Sequence, residues 1–587
     1  MRRKRWGKTW LLVVTLILAV MLLPACAAEE EEEVTMEIKN PDTFISVTIG
    51  DVDTLDPAYA YDTASGTQIG AIYEPLLWYD GASTSKFVPV LATEWNISAD
   101  GKTYRFKIRK GVKFHNGNDL TPEDVEYSFE RGMVQDYGAG PQWMLFEPLL
   151  GIGTSRTEDG LIPLTDITSA VEVDGDWVQF NLAAPYEPFL QILTQSWSSI
   201  VDKEWSLENG DWDGTQASYE ALNDPPSGGS PLQSITNGTG PFKLERWDAG
   251  VEIVLVRNDN YWRAPANFKR YITKVIEEWT TRKLMLEAGD ADYVAVPRAY
   301  ISELEGVEGL TVYQDLPTLQ ADGIFFQFDI SPESSFVGSG KLDGSGIPLD
   351  FFTDIDLRKG FAYAFDWETC IKDAMLGEAQ QIASPVVDGL PYVNPATPMY
   401  AKDLDKAAEH LEKAWAGEVW EKGFTLIMAY NAGNLPRRTA CEILAENLLS
   451  INEKFVIRIQ AMQWPTMLRG MYSQLLPLFQ IGWLADYPDP HNFVYPFMHS
   501  NGTFSGWQNY SDPEVDDLIE QGIAATTPSA RQAIYYQLQD LYYEDIPSFI
   551  VQQPLGRRYF RDWVKGFIFN PVDPASIGRI YNLSKEY

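Results

Sequence analysis

A run of side-chain oxygens between residues 209 and 220 has the spacing of a metal site. Asn209, Asp211 and Asp213 stand at positions one, three and five, and Glu220 stands at position twelve. This is the ligand spacing of an EF-hand calcium loop, and a glycine occupies position six as that loop requires. Position eight is polar, however, and two prolines follow shortly after Glu220. The segment is therefore either a calcium loop or a solvated Asp-Gly loop.

The sequence lacks the patterns of common enzymes. Gly101-Lys102-Thr103 imitates the end of a phosphate loop, but Asn96 stands where that loop needs a glycine. The sequence has no serine at nucleophile-elbow spacing, no Cys-x-x-Cys and no His-Glu-x-x-His. Asp486 and Asp489 form an acid pair, but a chain with 83 acidic residues contains many such pairs. We predict no catalytic residue and no cofactor.

Composition narrows the class of partner. The chain has 587 residues and a formal net charge of -37, from 46 basic and 83 acidic residues. Hydrophobic residues make up 45% and aromatic residues 13%, which is enough to bury a large core. So negative a surface repels phosphate backbones, and the composition therefore disfavours nucleic acid as a partner.

The pattern of residues at the N-terminus indicates an export signal. Five basic residues lie within the first eight positions, and a mostly apolar run from 10 to 23 follows. The ending Leu-Pro-Ala-Cys is similar to a bacterial lipobox, which predicts a lipoprotein signal peptide over residues 1–25 and lipidation of Cys26. Ordinary cleavage near 25–28 is the alternative. Residues 26–34, rich in glutamate, are predicted to form an extended acidic tether.

The body of the chain mixes strand and helix patterns, which predicts an α/β fold. Thr121-Pro122-Glu123-Asp124 carries a helix-start signal, because threonine caps and proline fits the first helical position. Cys370 and Cys441 lie in helix-like patterns and are either a disulfide or two buried thiols. Further segments are predicted as strands over 44–49, 104–108 and 251–256, and as helices over 69–77, 282–288, 357–376, 404–415, 438–450, 513–525 and 530–543.

Several segments, taken in order, resemble the peptide-type extracellular solute-binding proteins of ABC importers, family 5. The matching segments are TLDPAYAYDTASGTQIGAIYEPLLWYD (54–80), LATEWNISADGKTYRFKIRKGVKFHNGNDLTPEDVEYSFE (91–130), NGTGPFKLERWDAG and NDNYWR (237–263), DIDLRKGFAYAFDWETCIKDAMLG (354–377), GWLADYPDPHNF (482–493) and YSDPEVDDLIEQ (510–521). Together they span nearly all of the chain that follows the predicted signal.

The resemblance implies a two-lobed, periplasmic-binding-protein-like α/β fold with an extra subdomain inserted in lobe 1. Lobe 1 is expected over 35–85, 176–296 and 553–587, the inserted subdomain over 86–175, and lobe 2 over 297–552. The crossings between lobes are expected near 294–298 and 550–554. A ligand is expected between the lobes, which close around it by a hinge motion.

The resemblance also implies which residues bind ligand. In peptide-binding relatives, the aspartate of the Gly-Trp-x-x-Asp pattern pairs with the ligand's ammonium group, and that position is Asp486 here. Asp486 is otherwise a turn former, and Trp483 either walls the ligand or belongs to the core. The remaining residues expected at the cleft are Leu484, Ala485, Tyr487, Tyr61, Asp62, Thr63, Ser65, Tyr293 and Val294.

The implied function is that of an exported, lipid-anchored receptor. It captures a peptide-like solute at the outer face of the membrane or in the periplasm and delivers it to ABC permease subunits; a monomer is expected. An oligosaccharide or a metal chelate remains open as ligand, since this fold also serves those. A secreted lipid-anchored hydrolase is the alternative from another class.

Overall fold

The computed structural model describes residues 38–525, 527–573 and 579–586. The predicted signal peptide, Cys26 and the acidic tether lie outside the described residues. The chain from Asn40 onward forms one compact unit. No helix in the described ranges is both long enough and apolar enough to span a membrane.

The elements alternate between helix and strand along the chain. The α-helices of eight or more residues are Thr63–Ile72, Pro122–Gln135, Trp143–Leu150, Trp279–Ala288, Ile355–Ala364, Leu404–Leu411, Leu435–Ile451, Trp464–Tyr472, His491–Met498, Pro513–Ala524 and Pro528–Asp545. The strands of the largest sheet, in spatial order, are Phe242–Asp248, Glu252–Arg257, Arg270–Val275, Thr43–Thr48, Tyr293–Val294, Ser548–Arg561, Gln320–Phe326, Leu478–Leu484, Phe424–Asn431 and Phe455–Met462. Leu310–Pro317 and Ala379–Gln380 also pair with Ser548–Arg561.

One long strand, Ser548–Arg561, joins the two halves of this sheet. Its first residues pair with Gln320–Phe326, and its last residues pair with Tyr293–Val294 and Leu310–Pro317. Near the middle stands Pro554, which has no N–H to donate to a neighbouring strand. Leu310–Pro317 and Tyr293–Val294 pair with the same C-terminal part of this strand, on its two opposite edges. The strand pairing therefore favours a first crossing just after Pro317, later than the expected 294–298.

A separate four-stranded sheet lies within residues 92–181. Its order is Ala92–Ile97, Thr103–Ile108, Trp177–Asn181 and Val171–Asp174, all antiparallel. The helix Pro122–Gln135 packs against the last two of these strands. Three of its strands lie within the range predicted for the inserted subdomain, 86–175, and the fourth, Trp177–Asn181, lies in the range predicted for lobe 1.

Local signals explain where several helices begin. The helix at Pro122 starts as predicted, and the Thr121 N–H donates to Asp124 Oδ2 at 2.8 Å. The predicted helix over 357–376 is wrong as one piece, since Phe365 is extended and Asp366 begins a new turn by accepting from Thr369 N–H at 3.0 Å. The predicted helix over 69–77 is also misplaced, because the helix runs from Thr63 to Ile72.

The structure does not bring the predicted ligands of the candidate calcium loop together. Asp211 is buried and pairs with Arg131, also buried, which equally pairs with Asp56. Asp213 instead accepts hydrogen bonds from Thr215 and Ser218 at the surface. Asp211 and Asp213, which the spacing groups as calcium ligands, therefore bind different partners. In the part of the chain that the structure describes, no cluster of three or more His, Cys, Asp or Glu side chains could hold a metal ion.

The remaining candidates of that loop lie apart from Asp211. Asn209 ends the short helix Lys203–Glu208, and Glu220 lies in the helix Gln216–Leu222, where it accepts from Gln216. Cys370 and Cys441 are both buried and free, so they form no disulfide.

Candidate functional site

A cavity of about 410 Å³ lies between the two halves of the large sheet. Its walls come from Thr43–Thr48 and Arg270–Val275 on one side and from Leu478–Leu484 on the other. The helix Thr63–Ile72 contributes a further wall. The volume falls within the range of small-molecule sites, so this is the structure's candidate ligand site.

Asp486 lies in this cavity wall, just after the strand Leu478–Leu484. Asn492, near the start of the next helix, holds it twice: the Asp486 N–H donates to Asn492 Oδ1 at 2.7 Å, and Asn492 Nδ2 donates to Asp486 Oδ2 at 3.0 Å. From across the cavity, the Tyr61 hydroxyl donates to the same Oδ2 at 3.0 Å. The side-chain amide of Gln195 donates to the Asp486 carbonyl. These contacts fix one carboxylate oxygen and leave Oδ1 without a protein donor among the described contacts.

Burial dominates the electrostatics of Asp486. The residue is only 8% exposed, and desolvation raises its pKa to about 7, against the lowering effect of the hydrogen bonds from Asn492 and Tyr61. No lysine, arginine or histidine within the described ranges forms an ion pair with it. The cavity therefore contains a carboxylate that a cation would stabilise.

Aromatic rings surround this carboxylate. The Tyr61 ring contacts Trp197 and Trp483 edge to face, with centroid distances of 5.3 and 5.5 Å. The Tyr61 hydroxyl also accepts a hydrogen bond from Trp143 Nε1 at 3.2 Å. Trp483 lines the cavity, yet it is 7% exposed and packs against Phe504. Trp483 therefore lines the cavity and also packs in the core beside Phe504, and its contact with ligand stays a prediction.

Eight of the eleven predicted cleft residues line the cavity. They are Tyr61, Asp62, Thr63, Tyr293, Trp483, Leu484, Ala485 and Asp486.

Three predicted residues do not line the cavity. Ser65 faces back into the loop, where its hydroxyl accepts from the Asp53 N–H at 3.1 Å. Val294 points to the opposite face of its strand from Tyr293 and packs in a core with Trp279. Tyr487 is fully buried, and its hydroxyl lies 3.2 Å from that of Tyr186.

The sequence did not reveal several other lining residues. Arg437 lines the cavity near the start of the helix Leu435–Ile451, where its Nη2 donates to Asp322 Oδ1 at 2.9 Å and its Nη1 to Asn431 at 2.9 Å. The Asn-Leu-Pro pattern at 434–436 indicates a helix start, but it does not show which side chain will face a cavity. Because Arg437 pairs with Asp322, its positive charge does not neutralise the carboxylate of Asp486.

The raised pKa predicts how binding of a cation depends on pH. Below about pH 7 the empty site holds a proton on Asp486, which an ammonium ligand must displace, so its association constant should fall about tenfold per pH unit. Above about pH 8 a peptide amine loses its own proton, and affinity should fall again. Titration calorimetry from pH 5 to 9 checks this bell shape; constant affinity between pH 5 and 7 would contradict it.

Comparisons with known proteins agree with this geometry. The model of a family described as bacterial extracellular solute-binding proteins, family 5, middle region, matches residues 86–505. The chain belongs to this family. The resemblance stated from the sequence is thereby confirmed, and the chain is a solute-binding protein of the ABC transporter class rather than an enzyme.

Individual relatives cover most of the chain. It is 26% identical over 541 residues to the probable D,D-dipeptide-binding periplasmic protein DdpA of Escherichia coli, covering 91% of this chain and 92% of the relative. It is 24% identical to the oligopeptide-binding protein OppA of Bacillus subtilis, covering 84% of each.

A solved structure establishes the fold. The periplasmic binding protein DppA of Helicobacter pylori, solved in complex with the peptide STSA, is similar with a TM-score of 0.75 at 23% identity. The match covers 93% of this chain and 98% of that one. The predicted two-lobed α/β fold class is confirmed.

Proposed function

We propose that this protein is the lipid-anchored, extracellular receptor of an ABC importer and that it captures a short peptide-like solute bearing a free ammonium group. The observation that carries the proposal is Asp486, a buried carboxylate in the cavity between the halves with no cation partner in the described chain. A ligand ammonium that loses its water on closure needs such a carboxylate in return. Peptide binding by the relatives supports the same ligand class.

The contacts between the two halves support a closed, ligand-enclosing state. Tyr61 reaches Asp486 from the opposite side, Trp143 stacks on Tyr495 at 4.5 Å, and Glu147 lies 2.6 Å from His491. We place the hinge at 317–319 and 553–555, where the Thr318 hydroxyl donates to the Pro554 carbonyl between the crossing strands. A ligand that binds the closed state more tightly than the open state shifts the population toward the closed state.

A ligand panel tests the proposed function. The purified protein is screened by thermal shift and calorimetry at pH 8 against free dipeptides and tripeptides, their N-acetylated counterparts, disaccharides and nickel–histidine. We expect free peptides to bind with micromolar dissociation constants, about −8 kcal/mol, and their acetylated counterparts to bind at least about a hundredfold more weakly. Binding confined to a disaccharide or to nickel–histidine would assign the other ligand class instead.

Lipid anchoring rests on the signal pattern and is tested separately. In cells that express the full chain, the wild-type protein should partition with membranes, and its mature N-terminal fragment should carry the mass of acyl chains. Cys26→Ala should release the protein into the soluble fraction, because the anchor is lost. A wild-type mature chain that begins near residue 28 without acyl mass would show ordinary cleavage.

A further inference from the structure

A second contact between the two halves of the chain lies outside the ligand cavity. The helix Trp143–Leu150 precedes the first crossing between the halves, and the helix His491–Met498 lies between the two crossings. Glu147 Oε1 on the first helix lies 2.6 Å from His491 Nε2 on the second, as an ion pair rather than as an aligned hydrogen bond. Neither residue lines the cavity. The pair therefore joins the halves at a place that a ligand in the cavity does not occupy.

His491 depends on the opposite half for its polar partner. The residue is 0% exposed, and neither ring nitrogen has a hydrogen-bond partner among the described residues. Two side chains of the first half lie against it, the Glu147 carboxylate and the ring of Tyr186, whose hydroxyl donates to Glu147 Oε2 at 3.0 Å. An imidazole held away from water needs a compensating group, and the nearby carboxylate supplies it. Without that carboxylate, the closed arrangement becomes less favourable.

An aromatic stack joins the same two helices beside the ion pair. The rings of Trp143 and Tyr495 lie 4.5 Å apart and are tilted by only 10°. Trp143 Nε1 also donates to the Tyr61 hydroxyl at 3.2 Å, and that hydroxyl donates to Asp486 Oδ2 at 3.0 Å. The contact between the helices thus supports the side chain that reaches Asp486 across the cavity.

Gly153 leaves the space that this contact needs. A Cβ atom at this position would lie 2.6 Å from the Tyr495 hydroxyl and 3.1 Å from the Cβ of Asn501, and both of these residues belong to the second half. Packed interfaces have no room for extra carbon atoms. A larger side chain at position 153 is therefore expected to push the two halves apart.

We propose that this contact is a latch that stabilises the closed form, so that much of the protein is closed even without ligand; its members are Trp143, Glu147, His491 and Tyr495. The latch strengthens the binding of every ligand alike, because none of its members lines the cavity. It does so by enlarging the closed fraction of the empty protein, since the apparent dissociation constant varies inversely with that fraction. The latch rests on the proposed closure around ligand, but not on the ligand being a peptide.

Small-angle X-ray scattering of the ligand-free protein, together with calorimetry, tests the latch. Glu147→Ala removes the carboxylate, and Gly153→Val places a wedge between the halves. Each variant should have a larger radius of gyration than the wild-type protein, because more of it is open. Each should also bind Ala-Gln and Ala-Leu at least about fivefold more weakly, by the same factor for both peptides.

A matched control and the second variant keep the test decisive. Glu303 pairs with Lys283 at 2.9 Å within the first half, so Glu303→Ala should change neither the radius nor the affinity. If Glu147→Ala does not fold, Gly153→Val decides. A radius of gyration equal to that of the wild type in both latch variants, or an unchanged affinity in both, overturns the latch and leaves the proposed function standing. If no free peptide binds the wild-type protein, the proposed function fails and the scattering comparison alone decides the latch.

Discussion

Asp486→Asn is expected to weaken binding of a free peptide by about 2–5 kcal/mol, the range for breaking one buried charge pair. The substitution preserves the local geometry, because the asparagine Oδ1 can accept both hydrogen bonds that Asp486 Oδ2 accepts from Tyr61 and Asn492. What is lost is the negative charge opposite the ligand ammonium. Calorimetry at pH 8 measures the change.

The same variant should stabilise the protein without ligand. The pKa of Asp486 rises to about 7 on folding, so the native state favours the protonated form. The loss of unfolding free energy caused by this raised pKa is absent below the unfolded-state pKa near 4. It grows as the pH rises toward 7 and is constant above pH 7. At pH 8 the asparagine variant should therefore unfold at higher denaturant concentration, by up to about 4 kcal/mol of unfolding free energy.

Lower peptide affinity together with higher stability is the result expected only if Asp486 is a buried charge that binds the ligand. Asp329 is exposed and does not line the cavity, so Asp329→Asn removes the same charge elsewhere and should change neither quantity by more than about 0.5 kcal/mol. If Asp486→Asn lowered both affinity and stability, Asp486 would be a structural turn residue.

Arg131→Met is expected to lower the free energy of unfolding by about 3–5 kcal/mol. Arg131 is 1% exposed and donates to Asp56 Oδ1 at 2.8 Å and to Asp211, both of which are buried. Methionine fills similar space but leaves two carboxylates without a cation in a dry interior. Urea denaturation at pH 7 measures the loss.

An exposed pair supplies the control. Lys107 lies 2.8 Å from Glu94, with side chains 43% and 57% exposed, and Lys107→Met should cost at most about 1 kcal/mol. A cost below about 1 kcal/mol for Arg131→Met would mean that Asp56 and Asp211 become neutral or solvated, and that the buried pairs contribute little to folding.

The resemblance predicted the part of the site that lies on contiguous motifs. Asp486, Trp483 and Tyr61 all line the cavity as expected, since each lies beside a recognisable pattern. Residue-by-residue transfer failed where side-chain direction decides the outcome, as for Val294, whose neighbour Tyr293 takes the cavity face of the strand.

Spacing alone misled at residues 209–220. The EF-hand spacing is present, but Arg131, about 80 positions earlier, draws Asp211 into a buried ion pair. A linear pattern contains no information about so distant a partner.

The most direct test of the ammonium–Asp486 interaction is calorimetry of the wild-type protein at pH 8 with Ala-Gln and N-acetyl-Ala-Gln. The two probes differ only in the positive charge that Asp486 is proposed to hold. We predict a micromolar dissociation constant for the free peptide and at least about a hundredfold weaker binding for the acetylated one. Equal affinity for the two peptides would contradict the proposed role of Asp486.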